Sequence, residues 1–388
     1  MLNFEYHNPT KIFFGRGYET HIGRLVQPYG SKLLLHYGGK SIKRSGLYDR
    51  VVASLREAGV DFVELGGVQP NPRLSLVREG IELARKEEVS LILAVGGGSV
   101  IDSAKAIALG AVYNGDVWDF FEQKAVPERA LPVAAILTIP AAGSENSPNT
   151  VITHEALDLK VGTKNQISRP VFSILNPELC MTLPRAQIGY GVCDMMAHIM
   201  ERYFTHTTHV DLTDRLCEGA LRTAMENGRK LMRDSQDYDA WAEIMLTGTL
   251  AHNGLLGTGR TEDWGSHRIE HELSAIYDVP HGAGLAVVFP AWIKYVWREN
   301  PGMFLQFAVK VMDVDPSFRD KEEAILEGVR RLEAFYKTME LPTRLDELGI
   351  GDERLEEMAE KALLRGPIGG LKVLTAQDVL EILKLALK

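Results

Sequence analysis

Only three cysteines, Cys180, Cys193 and Cys217, occur among 388 residues. Three thiols at irregular spacing exclude a disulfide framework and a thiolate zinc site, so buried free thiols are expected. Positive charge is also scarce: 43 Lys and Arg against 52 Asp and Glu leave a formal net charge of -9. Such a chain has no basic footprint for a nucleic acid, and any phosphate it binds must be held by a local cradle. No stretch reaches the roughly 18 apolar residues of a spanning helix. The segment MLNFEYHNPTKIFFGRG also lacks a basic region followed by an apolar run. A cytoplasmic protein with no membrane partner is the expectation. There is no internal repeat and no low-complexity tract.

What is present is ordinary globular composition, 45% apolar and 24% charged, on a chain long enough for two domains. In the first half, SKLLLHY (31–37), DFVEL (61–65), LILAVGG (91–97), AAILTIP (134–140) and VFSILNP (171–177) are short apolar runs stopped by Gly, Pro or Asn, as strands are. GLYDRVVASLREAG and RLSLVREGIELARKEE between them repeat apolar residues at helical intervals. This alternation predicts a parallel, Rossmann-like sheet in an α/β domain over 1–183. From Pro184 onward, long helical patterns such as LTDRLCEGALRTAMENGRKLM, DYDAWAEIMLTGTLAHNGLL and KEEAILEGVRRLEAFYKTM follow one another. An all-helical domain over 184–388 is expected, with a tight joint near NPELCMTLPR.

AVGGGSVIDSAKAIALG ends a buried strand in Gly96, Gly97 and Gly98, and Ser99 is the expected N-cap of the helix that follows. Glycine lets backbone approach a bulky anion, and a helix N-terminus supplies N–H groups and positive dipole. The usual G-x-G-x-x-G fingerprint is absent, because Ile101 stands where its last glycine would fall. A glycine-rich turn kept only for its sharp geometry would read the same way. HYGGKSIKRSG marks a second strand end, with Gly38 and Gly39 followed by Lys40, Lys43 and Arg44 and by no acid. An acid there would bind a ribose 2′-hydroxyl, whereas basic residues suit a 2′-phosphate. The charge favours NADP, although a solvated basic turn accounts for the same residues.

Five ionisable residues stand out in the second half. Asp194 and His198 are four apart in an apolar segment; His267 and His271 repeat that spacing, and His281 follows a proline turn. Spacing of four aims two side chains at one point. A metal site and a pair of core histidines both remain open on this evidence. His206 and His209, in polar THTTHVD, are expected on the surface.

GGGSVIDSAKAIA (96–108), TIPAAGSENSPNTVIT (138–153), GVCDMMAHIMERYFT (191–205) and HELSAIYDVPHGAGLAVVFPAW (271–292) together resemble the iron-containing alcohol dehydrogenase family, in its NADPH-dependent butanol dehydrogenase branch. Four separated motifs in the right order make the resemblance specific, and it runs essentially end to end. It implies the dehydroquinate synthase-like fold, with an α/β domain for the dinucleotide, a helical domain for a divalent metal, and a cleft between them. It also implies Asp194, His198, His267 and His281 as metal ligands, with His271 near the nicotinamide and outside the metal's ligand set. Gly97, Gly98 and Ser99 fall in the pyrophosphate loop. Gly38, Gly39, Lys40, Asn71, Asp102, Thr138, Asn149, Lys160 and Thr182 complete the expected cofactor residues. Many members carry aspartate where Gly39 stands and use NAD, so its absence agrees with NADP. Met195 departs from the family's usual alanine and is expected to pack in the core.

One carboxylate and three imidazoles would leave a divalent ion with a net charge near +1, and so a Lewis acid. Iron is the implied metal, with zinc the alternative, because N/O sites usually bind zinc more tightly than ferrous iron. The expected reaction is hydride transfer between NADP(H) and a small primary alcohol or aldehyde such as butanol or butanal. His271 would relay the proton, or would merely shape the pocket. A glycerol or polyol dehydrogenase and a lyase of the dehydroquinate synthase type are the alternatives; the lyase is weakened because Asp194 stands where its glutamate ligand normally does. A homodimer is expected, through a sheet edge near KIFFGRG.

Overall fold

In the computed structural model, which describes residues 1–387, the apolar runs of the first half become parallel strands. Numbered along the chain, the strands are β1 (Lys11–Phe14), β2 (Lys32–Tyr37), β3 (Asp61–Leu65), β4 (Leu91–Gly97), β5 (Val133–Ile139), β6 (Asn149–His154), β7 (Leu159–Lys164) and β8 (Phe172–Leu175). Six form one sheet in the order β1-β8-β5-β4-β2-β3, with every neighbouring pair parallel. All seven residues of β4 are buried, as expected for a strand covered on both faces. Leu33, Leu35, Leu91, Leu93, Val95 and Ile136 meet Val51 and Leu55 of helix α1 (Leu47–Glu57) in one core cluster. Each such side chain contributes about 1.5–3 kcal/mol by leaving water. Helix α2 (Leu74–Lys86) connects β3 to β4, and α3 (Gly98–Ala111) leaves β4 toward β5. β1 lies at one edge of the sheet.

β6 and β7 form a separate antiparallel hairpin. The apolar-run criterion passes over it, because NTVITH and LKVGTK interleave polar residues and lack a continuous apolar core.

Beyond Pro184 the described residues form helices and one isolated bridge, between Ile368 and Leu374. The main helices are α4 (Arg185–Tyr203), α5 (Asp211–Arg233), α6 (Tyr238–His252), α7 (Gly265–Tyr277), α8 (His281–Val296), α9 (Pro301–Lys310), α10 (Lys321–Thr338), α11 (Leu355–Lys361) and α12 (Ala376–Leu387). From Gly191 to Tyr203 every residue of α4 is buried, so this helix is a core element wrapped on all sides. Among the described residues no helix is long and apolar enough to cross a membrane.

Two compact units result. One comprises His7–Leu183 with Gln236–Thr249; the other comprises Met1–Tyr6, Pro184–Ser235 and Leu250–Lys388. Most of α6 therefore belongs with the sheet unit and not with the helices that flank it in sequence. Cys180, Cys193 and Cys217 are buried and free. Met195 is fully buried, whereas His206 and His209 are exposed.

Candidate metal centre and cofactor cradle

In the helical unit, α4 carries Asp194 and His198 one turn apart, with Asp194 Oδ1 3.2 Å from His198 Nε2. His267 comes from the first turn of α7, and His281 is the first residue of α8. Ligand atoms of Asp194, His267 and His281 all lie within 4.8 Å of one another. The rings of His198 and His267 are 4.5 Å apart. All four expected ligands thus converge. His271, also buried, lies beside them with its ring 5.7 Å from that of His281. Glycine makes the convergence sterically possible. A Cβ on Gly282 would stand 2.2 Å from the Tyr190 carbonyl oxygen of α4, and one on Gly284 would stand 2.6 Å from Glu270 Oε1.

The electrostatics suit a cation. Burial raises the Asp194 carboxyl, but the imidazoles of His198, His281 and His267 outweigh it and hold the group below the usual carboxylate range. Burial and the neighbouring His267 bring the His198 imidazole down to about 4 against the pull of Asp194, so the ring is neutral at pH 7. A neutral imidazole and an ionised carboxylate are the forms that ligate metal. The sharpest sign is His267. Its Nδ1 lies 2.7 Å from Glu201 Oε1, whereas its buried Nε2 has no protein partner. A buried nitrogen left without a partner costs about 1–3 kcal/mol unless something else meets it.

Two buried carboxylates, Glu201 and Glu270, were outside the sequence expectation. Glu201 accepts from the Ser266 hydroxyl at 2.5 Å, from Trp264 N at 2.6 Å and from His267 N at 3.1 Å. Burial raises this carboxyl, but the donors from His267 and Ser266 outweigh it and lower it overall. Trp264, immediately before α7, is held in left-handed backbone at φ 68°, an uncommon state for a bulky residue and a frequent companion of functional sites. Glu270 contacts His281 Nδ1 and accepts from the Ser274 hydroxyl at 2.5 Å. Glu270, His271 and His281 form a second trio within 4.8 Å, but the Glu270 carboxylate in it is already committed to His281 Nδ1. The sequence signal was available: Glu201 and Glu270 each stand three residues after a ligand-type histidine, one helical turn along.

In the sheet unit, the carboxyl ends of β2, β4 and β5 lead into Gly38–Lys40, into Gly97–Ser99, and through Thr138. The chain leaves β2 for the outer strand β3 and leaves β4 for β5 on the opposite side, the reversal at which open α/β sheets place ligands. Ser99 does not cap α3. The helix starts two residues earlier than that cap implies, at Gly98, because Gly97, the last residue of β4, is itself the N-cap in extended backbone and the chain passes from strand to helix without an intervening turn. Ser99 falls in the first turn, among N–H groups that have no partner within the helix.

The glycines of this loop differ. A Cβ on Gly97 would press on Ile139 at 3.0 Å, so packing alone explains that glycine. On Gly98 it would meet only Ala142 and Ser144 at 3.8–3.9 Å, ordinary contact. Packing does not explain Gly98, whereas an anion approaching the backbone does. Loop and cradle therefore fit a dinucleotide pyrophosphate.

Asp102, one turn into α3, accepts from Val151 N at 2.9 Å and bonds the Ser144 hydroxyl, so it fastens the helix to the hairpin. Lys105, unforeseen from sequence and fully buried, does the same, donating to the carbonyls of Ser144, Ser147 and Asn149 at 2.7–3.0 Å. Burial pulls this ammonium down to about 8 against the pull of Asp102. Asn149 and Lys160 belong to the hairpin that Asp102 and Lys105 hold. Buried Asn71, in left-handed backbone at φ 54°, begins the segment whose Pro72 carbonyl accepts from Thr153 N of β6. Gly39, Lys40 and Thr182 are exposed.

Family models match both halves of the chain. The family model "Iron-containing alcohol dehydrogenase" matches residues 9–177, and "Fe-containing alcohol dehydrogenase family, C-terminal" matches 189–387. The chain belongs to the iron-containing alcohol dehydrogenase family. It is 46% identical to a probable NADH-dependent butanol dehydrogenase 1 of Bacillus subtilis, over the whole of both chains. It is 34% identical to the NADPH-dependent aldehyde reductase YqhD of Escherichia coli, covering 93% of each. The crystal structure of NADH-dependent butanol dehydrogenase A from Thermotoga maritima superposes with a TM-score of 0.97 at 44% identity, covering 100% of this chain and 99% of that one. The protein is thus an alcohol dehydrogenase or aldehyde reductase of a family that works with a nicotinamide cofactor and a metal.

Proposed function

We propose that this family member interconverts a small primary alcohol and its aldehyde, of the butanol and butanal class, with NADP(H) as hydride carrier and one divalent ion held by Asp194, His198, His267 and His281. Iron is the expected ion and zinc the alternative. The observation that carries the reading is the buried Nε2 of His267, which has no protein partner and belongs to a residue clustered with Asp194 and His281.

When bound, the metal supplies a Lewis acid for the substrate oxygen and the nicotinamide supplies the hydride. The protein's part is to hold and orient. Asp194 remains ionised and His198 neutral at pH 7, the forms in which these two groups ligate metal. The N-terminus of α3 and the open backbone at Gly98 receive the pyrophosphate. His271 moves the proton to or from the substrate oxygen, through water or the ribose hydroxyls.

The choice of NADP(H) rests on residue 39. No atom lies within 4 Å of the place a Gly39 Cβ would occupy, and no acid stands there to meet a 2′-phosphate. Exposed Lys40 and Arg44 are nearby in sequence, whereas Lys43 is drawn toward Glu64 and the rings of Tyr37 and Tyr48. The relatives' names weigh toward the other cofactor, NADH-dependent for the Bacillus and Thermotoga proteins at 46% and 44% identity and NADPH-dependent for the Escherichia one at 34%. The edge position of β1 supports a homodimer.

The test follows NADPH absorbance with butanal after loading ferrous or zinc ion. Turnover is expected. No turnover with any short aldehyde or alcohol would overturn the reading.

A further inference from the structure

Asp194 and His198 come from α4, His267 from α7 and His281 from α8. Three separate helices must hold four donor atoms in register. Two of the junctions, α4 with α7 and α7 with α8, are each bridged by one fully buried glutamate. Glu201, on α4, reaches His267 Nδ1 at 2.7 Å, and through Ser266, Trp264 N and His267 N it grips the start of α7. Glu270, on α7, reaches His281 Nδ1 at the start of α8 and is steadied by Ser274. A Cβ on Gly284 would collide with that carboxylate, so α8 accommodates it by having none.

We propose that Glu201 and Glu270 are the positioning residues of the metal centre. Each extends from one ligand-bearing helix to the Nδ1–H of the ligating histidine on the next, fixing ring orientation and leaving the Nε2 lone pair for the ion. A carboxylate behind an imidazole also makes the ring a stronger donor, and losing such a partner characteristically weakens metal binding ten- to a hundredfold. The two glutamates therefore set how tightly the ion is kept. This inference rests on the ligand set proposed above.

A purely structural role for Glu201, as acceptor for the first turn of α7, predicts something different. Glutamine keeps an oxygen for those N–H groups and would leave the ion's affinity alone. The test strips the holoprotein with a chelator and titrates cobalt(II) back against a competing chelator, in wild type, Glu201→Gln and Glu270→Gln. Each variant is expected to bind cobalt(II) ten- to a hundredfold more weakly, with altered visible absorption bands. Affinity within twofold of wild type and unchanged bands would overturn the proposal. Should a variant fail to fold, nitrogen-15 NMR of the stripped wild type decides instead. His267 and His281 must both carry their proton on Nδ1, and either ring protonated on Nε2 alone would overturn the proposal. His267→Ala separates the two levels. If it keeps its metal, the ligand set falls and this proposal with it; if it loses metal while both glutamine variants bind normally, only this proposal falls.

Discussion

In the sheet unit, fully buried His36 of β2 gives both ring nitrogens to the protein, Nδ1 to the Leu65 carbonyl and Nε2 to the Ser103 hydroxyl, each at 2.8 Å. In the helical unit, buried His267 gives only Nδ1, to Glu201, and leaves Nε2 without a protein partner. Burial is alike at the two sites; what differs is the second nitrogen. A histidine whose hydrogen bonds are complete is part of the packing, and one with an inward nitrogen left over is built to meet something that is not protein. The two regions also differ in what they offer a ligand. The helical unit presents charged side chains, whereas the sheet unit presents backbone N–H groups and the bare Cα of Gly98.

The largest expected effect separates the two histidines. His267→Ala should lose the metal and, with several kcal/mol of Lewis-acid stabilisation gone, about a thousandfold in kcat/KM. His36→Ala should lose stability while retaining metal. Metal analysis of both purified variants checks this, and metal lost from the His36 variant would break the comparison.

Next in size is an acid response belonging to His36. Burial holds its imidazole down at about 4, from an ordinary 6.5, against a smaller opposing pull from the Leu65 hydrogen bond. Above pH 6.5 the ring is neutral folded or unfolded, and its contribution is complete. As pH falls from 6.5 to 4 the unfolded chain takes up a proton that the folded chain does not, so stability falls, by about 3 kcal/mol in all. Urea unfolding at pH 7 and pH 4.5 should show His36→Gln losing less on acidification than wild type does. Equal losses would remove His36 from the account.

Gly39→Asp should cost about 1–3 kcal/mol in binding a 2′-phosphate, moving the NADPH to NADH ratio of kcat/KM ten- to a hundredfold toward NADH. The open space at residue 39 admits the side chain without strain. An unchanged ratio, or a wild type that already prefers NADH, would remove the NADP assignment and leave the metal centre standing. Smallest is Gly98→Ala, where thermal stability should hold or rise, since alanine is the better helix former by about 1 kcal/mol. Cofactor affinity should nevertheless fall severalfold, as read by fluorescence titration. An unchanged affinity would mean that no anion approaches Gly98.

The pairing of Asp194 with His198 was legible because helical spacing of four is a local property that α4 preserves, whereas the grouping of His267 and His281 with them came from the family resemblance. The apolar runs of β2, β4, β5 and β8 became strands for a similarly local reason, since largely continuous burial needs continuous apolar sequence, whereas DFVEL forms the sparsely buried edge strand β3. Tertiary partners were harder to see. Glu201 and Glu270 are single acids whose role depends on which helix lies opposite. Lys105 reads as a surface charge until the hairpin of β6 and β7 supplies its carbonyls. Ser99 was misassigned as a cap because three successive glycines read as a turn, whereas Gly97 both ends β4 and caps the helix, so that Gly98 is already helical. The assignment of Gln236–Thr249 to the sheet unit has no local signature.

The central claim is that Asp194, His198, His267 and His281 enclose one catalytic ion. Crystals of the protein loaded with ferrous or zinc ion, measured at that element's absorption edge, test it directly. One anomalous peak per chain, bonded to those four side chains, is expected; a peak at any other group of residues, or none from protein that turns over butanal, would overturn the ligand set.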